Sequence, residues 1–550
     1  MKRLLIIPLL LLTLSLGATR VYVATTGNDG TGDGSIGAPY LTIATGISNA
    51  SAGDTVYIVA GIYNVSTQIA LPVGISLMGA GDASVITTGT ALDPIIVASS
   101  VSLADGAQSI SYLKFDGDLT ALSCLDVHRR NNFKIHNCTF VDFVYGAIEF
   151  YGGSSLENIP AVYATGNEIY SCTIDNCCER RDPGAFGAIR FGGQEGMLIH
   201  DNILTQVSRA ATHNGNLLYM WGATNKALKF YNNTCTKPAT DGVISGNAGG
   251  WNFHIESGHS HGYEIYNNTF TGGVAIDFAG GNQVKGDYDY SWWVHHNTFK
   301  LTAQISKPAT GTHSPVAMDF ERTCEDIICE YNTMENYPVA VNFTTSSSSY
   351  VKNRIYFRYN IFKNAGYSDA SYAYHITWQG SGTGDLAHYL YFENNVFHAN
   401  LGRAFFGLLC PYDVNHIYIR NNIMVNAHLN GWMIVPLYCG DLVTLTGSFT
   451  DFYIDNNLLF NNANSNQIRY VDGKTMTIAS YTNNIIGSDP LFKSNETWRL
   501  RPTSPAIDAG LDVGLTKDYH GHRVPQGSAP DIGASEVGNY VLFYNGKQLY

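Results

Sequence analysis

The side chains with the most chemistry in this sequence are His254, Glu256, Asp277, Asp319 and Glu321. Four carboxyls and an imidazole suit two reactions on a sugar polymer. In inverting glycoside hydrolysis a protonated carboxyl donates to the bridging oxygen while an ionised one activates water, the pair standing about 6.5–9.5 Å apart. Crowding of like charges supplies the raised pKa that the acid needs. In β-elimination from a uronate, a cation or arginine offsets the sugar carboxylate and a base takes the neighbouring proton. Ca²⁺ held by Glu256, Asp277 and Asp319 would serve there, with Arg190, Arg322, Lys285, His254 or Tyr219 as base or carboxylate clamp.

These residues must be gathered by a repeated element. Most of them sit in short alternating phrases: AIEF (147–150), AIRF (188–191), LLYM (217–220), FHIE (253–256), AIDF (275–278), AMDF (317–320) and AVNF (340–343). Alternation rich in β-branched and aromatic residues predicts strands. Interleaved with them is a second phrase, apolar-x-x-Asn-x-apolar, on Asn202, Asn233, Asn268, Asn297, Asn332, Asn360, Asn395, Asn422, Asn457 and Asn484, with Cys138 and Cys172 in the same slot. Its spacing of 27 to 35 residues marks stacked supersecondary units. The coils lack a sustained 3.6-residue apolar pattern, which excludes a helical solenoid. The expected fold is all-β, a single right-handed parallel β-helix of stacked coils. Asn suits its corners, since it tolerates a left-handed backbone and its amide can bond the next Asn along the axis.

In such a stack each strand turns alternate side chains outward. With Ile148 and Phe150 inside, the outward ladder reads Glu149, Arg190, Tyr219, His254, Asp277, Asp319 and Asn342. Two residues further along lie Trp221, Glu256 and Glu321. Carboxylates one or two rungs apart are about 5 or 10 Å apart at the backbone. The expected catalytic group is therefore His254, Glu256, Asp277, Asp319 and Glu321. Glu149, Arg190, Tyr219, Trp221, Trp292, Trp293, Arg322 and Asn342 are the expected substrate contacts. Trp292 and Trp293 belong to DYDYSWW, read as a loop whose aromatic rings could stack on pyranose faces or fold over the groove edge. The same outward residues also suit a solvated surface with no catalysis. In His254-x-Glu256-x-x-His259-x-His261 the spacing departs from HExxH, which favours packing or sugar bonding over a transition metal.

The chain has 550 residues, a formal charge of −13 and only 14% charged residues, with 56 glycines and 35 tyrosines. This is the make-up of a turn-rich β protein. The negative charge disfavours nucleic acid as a partner. Residues 1–18 read as a secretory signal, so an exported protein, extracellular or periplasmic, without an integral membrane segment is expected. Ten cysteines in such a chain invite disulfides. Cys410 with Cys439 and Cys138 with Cys172 are the pairs that could face each other, and buried thiols are the alternative.

Residues 19–63 predict a cap, with a strand, a Gly/Asp-rich loop, a helix near 41–50 and a strand at 55–60. Asp29 and Asp33 there read as turn formers ahead of a Ca²⁺ site. Tyr22, Gly27, Asp29, Gly32, Pro39, Thr42-Ile43-Ala44, Gly53-Asp54-Thr55-Val56-Tyr57, Gly61 and Tyr63 resemble the opening of secreted bacterial β-helix proteins of the pectate-lyase-like superfamily. Ser504-Pro505-Ala506-Ile507-Asp508-Ala509-Gly510, Asp518, Gly521, Arg523 and Asp531-Ile532-Gly533-Ala534-Ser535-Glu536 resemble the terminal segment of such proteins. The resemblance spans about 20–536 and implies the fold; its motifs concern capping. The paired-Asp and His-Gly arrangement of polygalacturonases and the Arg signature of classical pectate lyases are not found in the sequence. The expected organisation is signal 1–18, cap 19–63, β-helix 64–490, C-terminal cap 491–536 and tail 537–550. The expected function is binding of an extracellular polysaccharide, with cleavage by a lyase or an inverting hydrolase and no organic cofactor. The alternative is a noncatalytic adhesin, fibre or tailspike-like glycan binder.

Overall fold

The computed structural model describes residues 19–153, 160–178, 187–206, 216–219, 225–237, 255–256, 260–278, 289–306, 315–345, 350–367, 374–380, 386–400, 404–427, 435–439, 448–462, 468–470, 476–538, 542–544 and 547–549. Among them the coils pair in parallel, one rung to the next, as a right-handed parallel β-helix. One strand per coil enters a 14-stranded sheet, the long sheet. It runs from Ile69–Ala70 through Gly146–Tyr151, Ile276–Asp277 and Val316–Phe320 to Ile468–Tyr470. The flanks belong to a 34-stranded sheet. The last residue of each AxxF phrase fills the interior. Phe278 stacks on Phe320 at 4.3 Å, Phe320 on Phe343 at 5.0 Å, and Phe343 on Trp378 at 5.2 Å.

The corner phrase divides its work between two residues. The slot before each ladder Asn carries the left-handed backbone, whatever its side chain: φ is 55° at Asn267, 54° at His296, 57° at Tyr331 and 51° at Tyr359. Such a backbone costs roughly 1–2 kcal/mol in a residue other than glycine. The following Asn faces inward. From Asn202 to Asn457, each sends its backbone N–H and its amide to the Oδ1 of the Asn one rung on, at 2.8–3.1 Å. The second amide hydrogen goes to a carbonyl of the rung behind, such as Ile199 or Val294.

Cys138 and Cys172 occupy the same slot at the start of the ladder and carry buried free thiols. The Cys172 N–H still donates to Asn202 Oδ1 at 2.9 Å, while its thiol reaches the Ile135 carbonyl at 3.7 Å. Cys172→Asn should therefore extend the ladder by one member and raise stability by about 1 kcal/mol. A lower urea midpoint for this variant would refute that account. Cys410 is buried. The side chain of Cys439 lies outside the described residues, and the register sets its backbone opposite Leu408.

At the N-terminal end the helix spans Ile43–Ser48, capped by the Thr42 hydroxyl. Gly46 lets it lie against the first strand, because a Cβ there would stand 2.5 Å from Val23. Asp29 ties the loop to this helix by accepting the N–H groups of Leu41 and Thr42 at 2.7 and 3.0 Å. Asp33 accepts from Ser35 N–H at 2.9 Å. Asp33 thus acts as a turn residue, whereas Asp29 fastens the loop to the start of the helix. The segment 491–538 lies along a flank. Trp498, Leu500, Ala506, Val524, Ile532 and Ala534 form one apolar cluster with Ile361, Val396, Ile423 and Leu458. Among the described residues no helix is long and apolar enough to cross a membrane.

Candidate functional site

The outward column of the long sheet can be read from its register. Asp126 stands opposite Glu149, Glu149 opposite Arg190, Arg190 opposite Tyr219, and Tyr219 opposite Glu256. Glu256 then stands opposite Asp277, Asp277 opposite Asp319, and Asp319 opposite Asn342. One expected position moves: Glu256, not His254, occupies the column. The strand–turn interval could not decide this, because 12 residues separate Arg190 from Asn202 and 23 separate Glu149 from Cys172. His254 itself, with Trp221, Lys285 and His259, lies outside the described residues, as does the Glu256 side chain.

Three acidic residues thus occupy successive rungs about 4.8 Å apart, and Glu321 follows Asp319 two residues along the same strand direction. Although Asp277 and Asp319 point away from the coil interior, Asp277 is 0% and Asp319 7% exposed, with Glu321 at 6%. Like charges opposite each other destabilise a sheet, so the column must shed charge. Burial pushes the Asp319 carboxyl up to about 7, and the neighbouring Glu321 charge pushes the same way. Hydrogen bonds from Thr344 and Asn342 and the Lys352 charge oppose the rise. Asn342 also donates to the Thr344 hydroxyl. Its role is to hold Asp319 from the next rung.

The lower rungs are different. Arg190 Nη1 meets Glu149 Oε1 at 2.7 Å, and the Tyr151 hydroxyl donates to Glu149 Oε2. Asp126 Oδ1 lies 2.7 Å from His128 Nε2, and the His128 ring meets Tyr151 edge-on at 4.3 Å. Burial raises the Glu149 carboxyl against the lowering effects of Arg190 and Tyr151. Glu149 is thus held by both Arg190 and Tyr151, so this cluster braces the sheet. The excess of acid lies in the column above it. Asp126, His128 and Tyr151 were not foreseen, though LDVH (125–128) alternates as AIEF does and extends the ladder by one rung.

The remaining expected contacts are scattered. Tyr219 is in the column and buried. Arg322 follows Glu321, its N–H donating to the Phe278 carbonyl at 3.1 Å. Trp292 lies in the coil interior, stacked on Tyr263 at 4.5 Å with its indole N–H on the Ser260 carbonyl at 3.1 Å. It is not a surface platform. Trp293 is 40% exposed but belongs to a flank, opposite Glu264 and Ile328. Its indole donates to Glu330 at 2.8 Å. The reason is that Asp289–Tyr290 and Trp293–His295 are strands, so consecutive tryptophans point to opposite sides.

That same flank carries His136, Tyr170, His200, Tyr231, Tyr266 and His295 in one stack, centroids 4.6–5.3 Å apart and rings within 10° of parallel. Their faces are turned to each other, which leaves only edges for a ligand. His261 stacks on Tyr290 at 4.9 Å.

No protein-family model matches the sequence, and no curated protein matches it. Solved structures do resemble the fold. The tailspike protein of E. coli bacteriophage HK620 in complex with a pentasaccharide aligns with a TM-score of 0.51 and 11% identity, covering 82% of this chain and 79% of that one. A mutant of the same tailspike with a hexasaccharide gives 0.50 and 10%, covering 81% and 76%. An alginate lyase from Paenibacillus sp. str. FPU-7 gives only 0.30 and 13%, covering 68% and 97%. At these identities the likeness is one of fold, and it agrees with the parallel β-helix read from the repeats.

Proposed function

We propose that the chain binds an extended polysaccharide along the outer face of the long sheet and hydrolyses it at Asp319 and Glu321. The observation that carries this is an acidic column with Glu256, Asp277 and Asp319 on successive rungs, of which Asp277 and Asp319 are buried and Asp319 has its carboxyl pushed up to about 7 by that burial. Asp319 is the general acid, giving its proton to the bridging oxygen. Glu321 is the base that takes a proton from water attacking the opposite side of the sugar. The reading requires the two carboxyls to stand about 6.5–9.5 Å apart, with Glu321 two residues after Asp319 and just past the end of the strand Val316–Phe320. Asp277, one rung away, is a further carboxyl beside the bond that breaks.

A lyase form of the reading would place Ca²⁺ on Glu256, Asp277 and Asp319. Asp277 and Asp319 fit an oxygen donor set, being buried on adjacent rungs. Such an ion would neutralise a sugar carboxylate. Hydrolysis is favoured because Arg190, one of the expected bases or clamps, is already paired with Glu149. The tailspike's bound oligosaccharides support a glycan ligand at the level of fold only. Export, to the cell exterior or the periplasm, belongs to the same reading and rests on residues 1–18.

The test is incubation of the protein with a polysaccharide panel, with and without chelator, following reducing ends and unsaturated product. New reducing ends of inverted anomeric configuration, insensitive to chelator, are expected. Unsaturated product lost on chelation would replace hydrolysis with elimination. Binding to one polymer without turnover would leave a glycan-binding surface and end the catalytic assignment.

A further inference from the structure

We propose that Cys138 and Cys172 form a cross-linking site, their thiols joining as a disulfide that ties together the two rungs below the Asn ladder.

The ladder slot itself points to a pair. Ten of its members are Asn, and the two that are not, Cys138 and Cys172, are consecutive and identical. A buried thiol that merely fills space behaves as a small hydrophobe, for which alanine or valine would serve as well. Two adjacent exchanges to the one residue that bonds covalently to its own kind call for a joint role. The register supplies the geometry. Tyr170 stands opposite His136 and Thr173 opposite Thr139, so the two cysteines face each other one rung apart. Parallel neighbours lie about 4.8 Å apart, inside the roughly 4.4–6.8 Å between Cα atoms that a disulfide spans.

The sulfurs are already close. Both residues are buried. The Cys172 thiol leans back onto the rung of Cys138, reaching the Ile135 carbonyl at 3.7 Å and that of Tyr170 at 3.4 Å. The Cys138 thiol reaches the Ile110 carbonyl, one rung further down, at 3.6 Å and that of His136 at 3.4 Å. Burial pushes the Cys138 thiol up, and the Cys172 thiol adds to the rise through hydrogen bonding and charge. Turning Cys138 about its Cα–Cβ bond aims its sulfur at Cys172, and only weak thiol–carbonyl contacts are given up.

The position gives the bond a purpose. From Asn202 upward an amide joins each ladder residue to the next. Between Cys138 and Cys172 that amide bond is missing, and a disulfide replaces it. It also closes a long loop, which restricts the unfolded chain.

The reaction takes a small disulfide, such as oxidised glutathione, as its oxidant. One cysteine attacks it as thiolate, forming a mixed disulfide and releasing one small thiol. The second cysteine displaces the other small thiol. The two cysteines are oxidised, the small disulfide is reduced, and both cysteine protons leave on the released thiols. Because burial keeps the Cys138 thiol protonated, the exchange belongs to the folding chain, before the coils close over the pair.

The test refolds the full chain from denaturant in a mixture of reduced and oxidised glutathione, alkylates the remaining thiols and maps peptides by mass spectrometry. A linked pair containing Cys138 and Cys172, lighter by two hydrogens and split by reductant, is expected. The oxidised protein should have a higher urea midpoint than the reduced one, and Cys138→Ser should abolish that difference. The gain expected for Cys172→Asn is that over the reduced protein. A map with both cysteines alkylated, or with either joined to Cys124 or Cys177, overturns the inference, as do equal midpoints. A chain that does not refold is mapped as expressed into an oxidising compartment, where the same linked or alkylated peptides decide.

Discussion

Asp319→Asn should lower glycan cleavage by about 10²–10⁴-fold, the contribution of a general acid, while making the folded protein more stable above neutral pH. Both effects have one cause. Asparagine nearly matches aspartate in shape but has no proton to give. The stability effect follows from linkage. Burial raises the Asp319 carboxyl from an ordinary aspartate value of 3.8 to about 7 in the fold. A raised carboxyl leaves stability intact at acid pH, below the unfolded value, and withdraws it as pH climbs through about 7. Three units correspond to as much as about 4 kcal/mol. Native protein should therefore lose stability between about pH 4, near the unfolded value, and about pH 7, the shifted one, and Asp319→Asn should lose markedly less. Denaturant melts at those two pH values, beside cleavage assays, measure the pair. A variant that keeps activity removes Asp319 from the chemistry. One that melts with the native pH dependence removes the buried proton.

Asn332→Leu should be the most damaging single change to the scaffold. Asn332 is fully buried in mid-ladder. Its Oδ1 accepts the backbone and amide N–H of Asn297, and its own amide serves the Val294 carbonyl and Asn360 Oδ1. Leucine would fit the volume but strand two donors of Asn297 and the carbonyl of Val294. At about 1–3 kcal/mol for each stranded buried group, the cost is about 3–9 kcal/mol. The left-handed backbone at Tyr331 would lose its support as well, since the ladder is what imposes it. Asn484→Leu is the control. It ends the ladder and is only half-buried, so water can replace part of what is lost. Urea unfolding should separate the two variants clearly. Equal midpoints would mean that stacked strands alone hold the coils in register.

Much of this was legible in the sequence because a solenoid has a one-dimensional design. Once the Asn phrase gives the period, each coil meets only its neighbours, and period-2 alternation assigns inside and outside. That logic placed Glu149, Arg190, Tyr219, Asp277, Asp319 and Asn342 in one column, where the register puts them. It failed at FHIE and at DYDYSWW, for a shared reason. Between strand and Asn turn the chain varies freely in length, so spacing cannot set the register of a two-residue strand, nor tell a strand from a loop.

The sequence by itself determined the class of fold, the Asn ladder and the face on which the acidic residues gather, because all three follow from repetition and alternation. Only the tertiary structure decided that Glu256 displaces His254, that Trp292 is interior, and that Asp126, His128 and Tyr151 gather beside Glu149 and Arg190. It alone brought the buried Lys352 ammonium to the Glu321 carbonyl. Protonation and charge balance depend on distances across rungs and on exclusion of water, and neither is written in the order of residues along one coil.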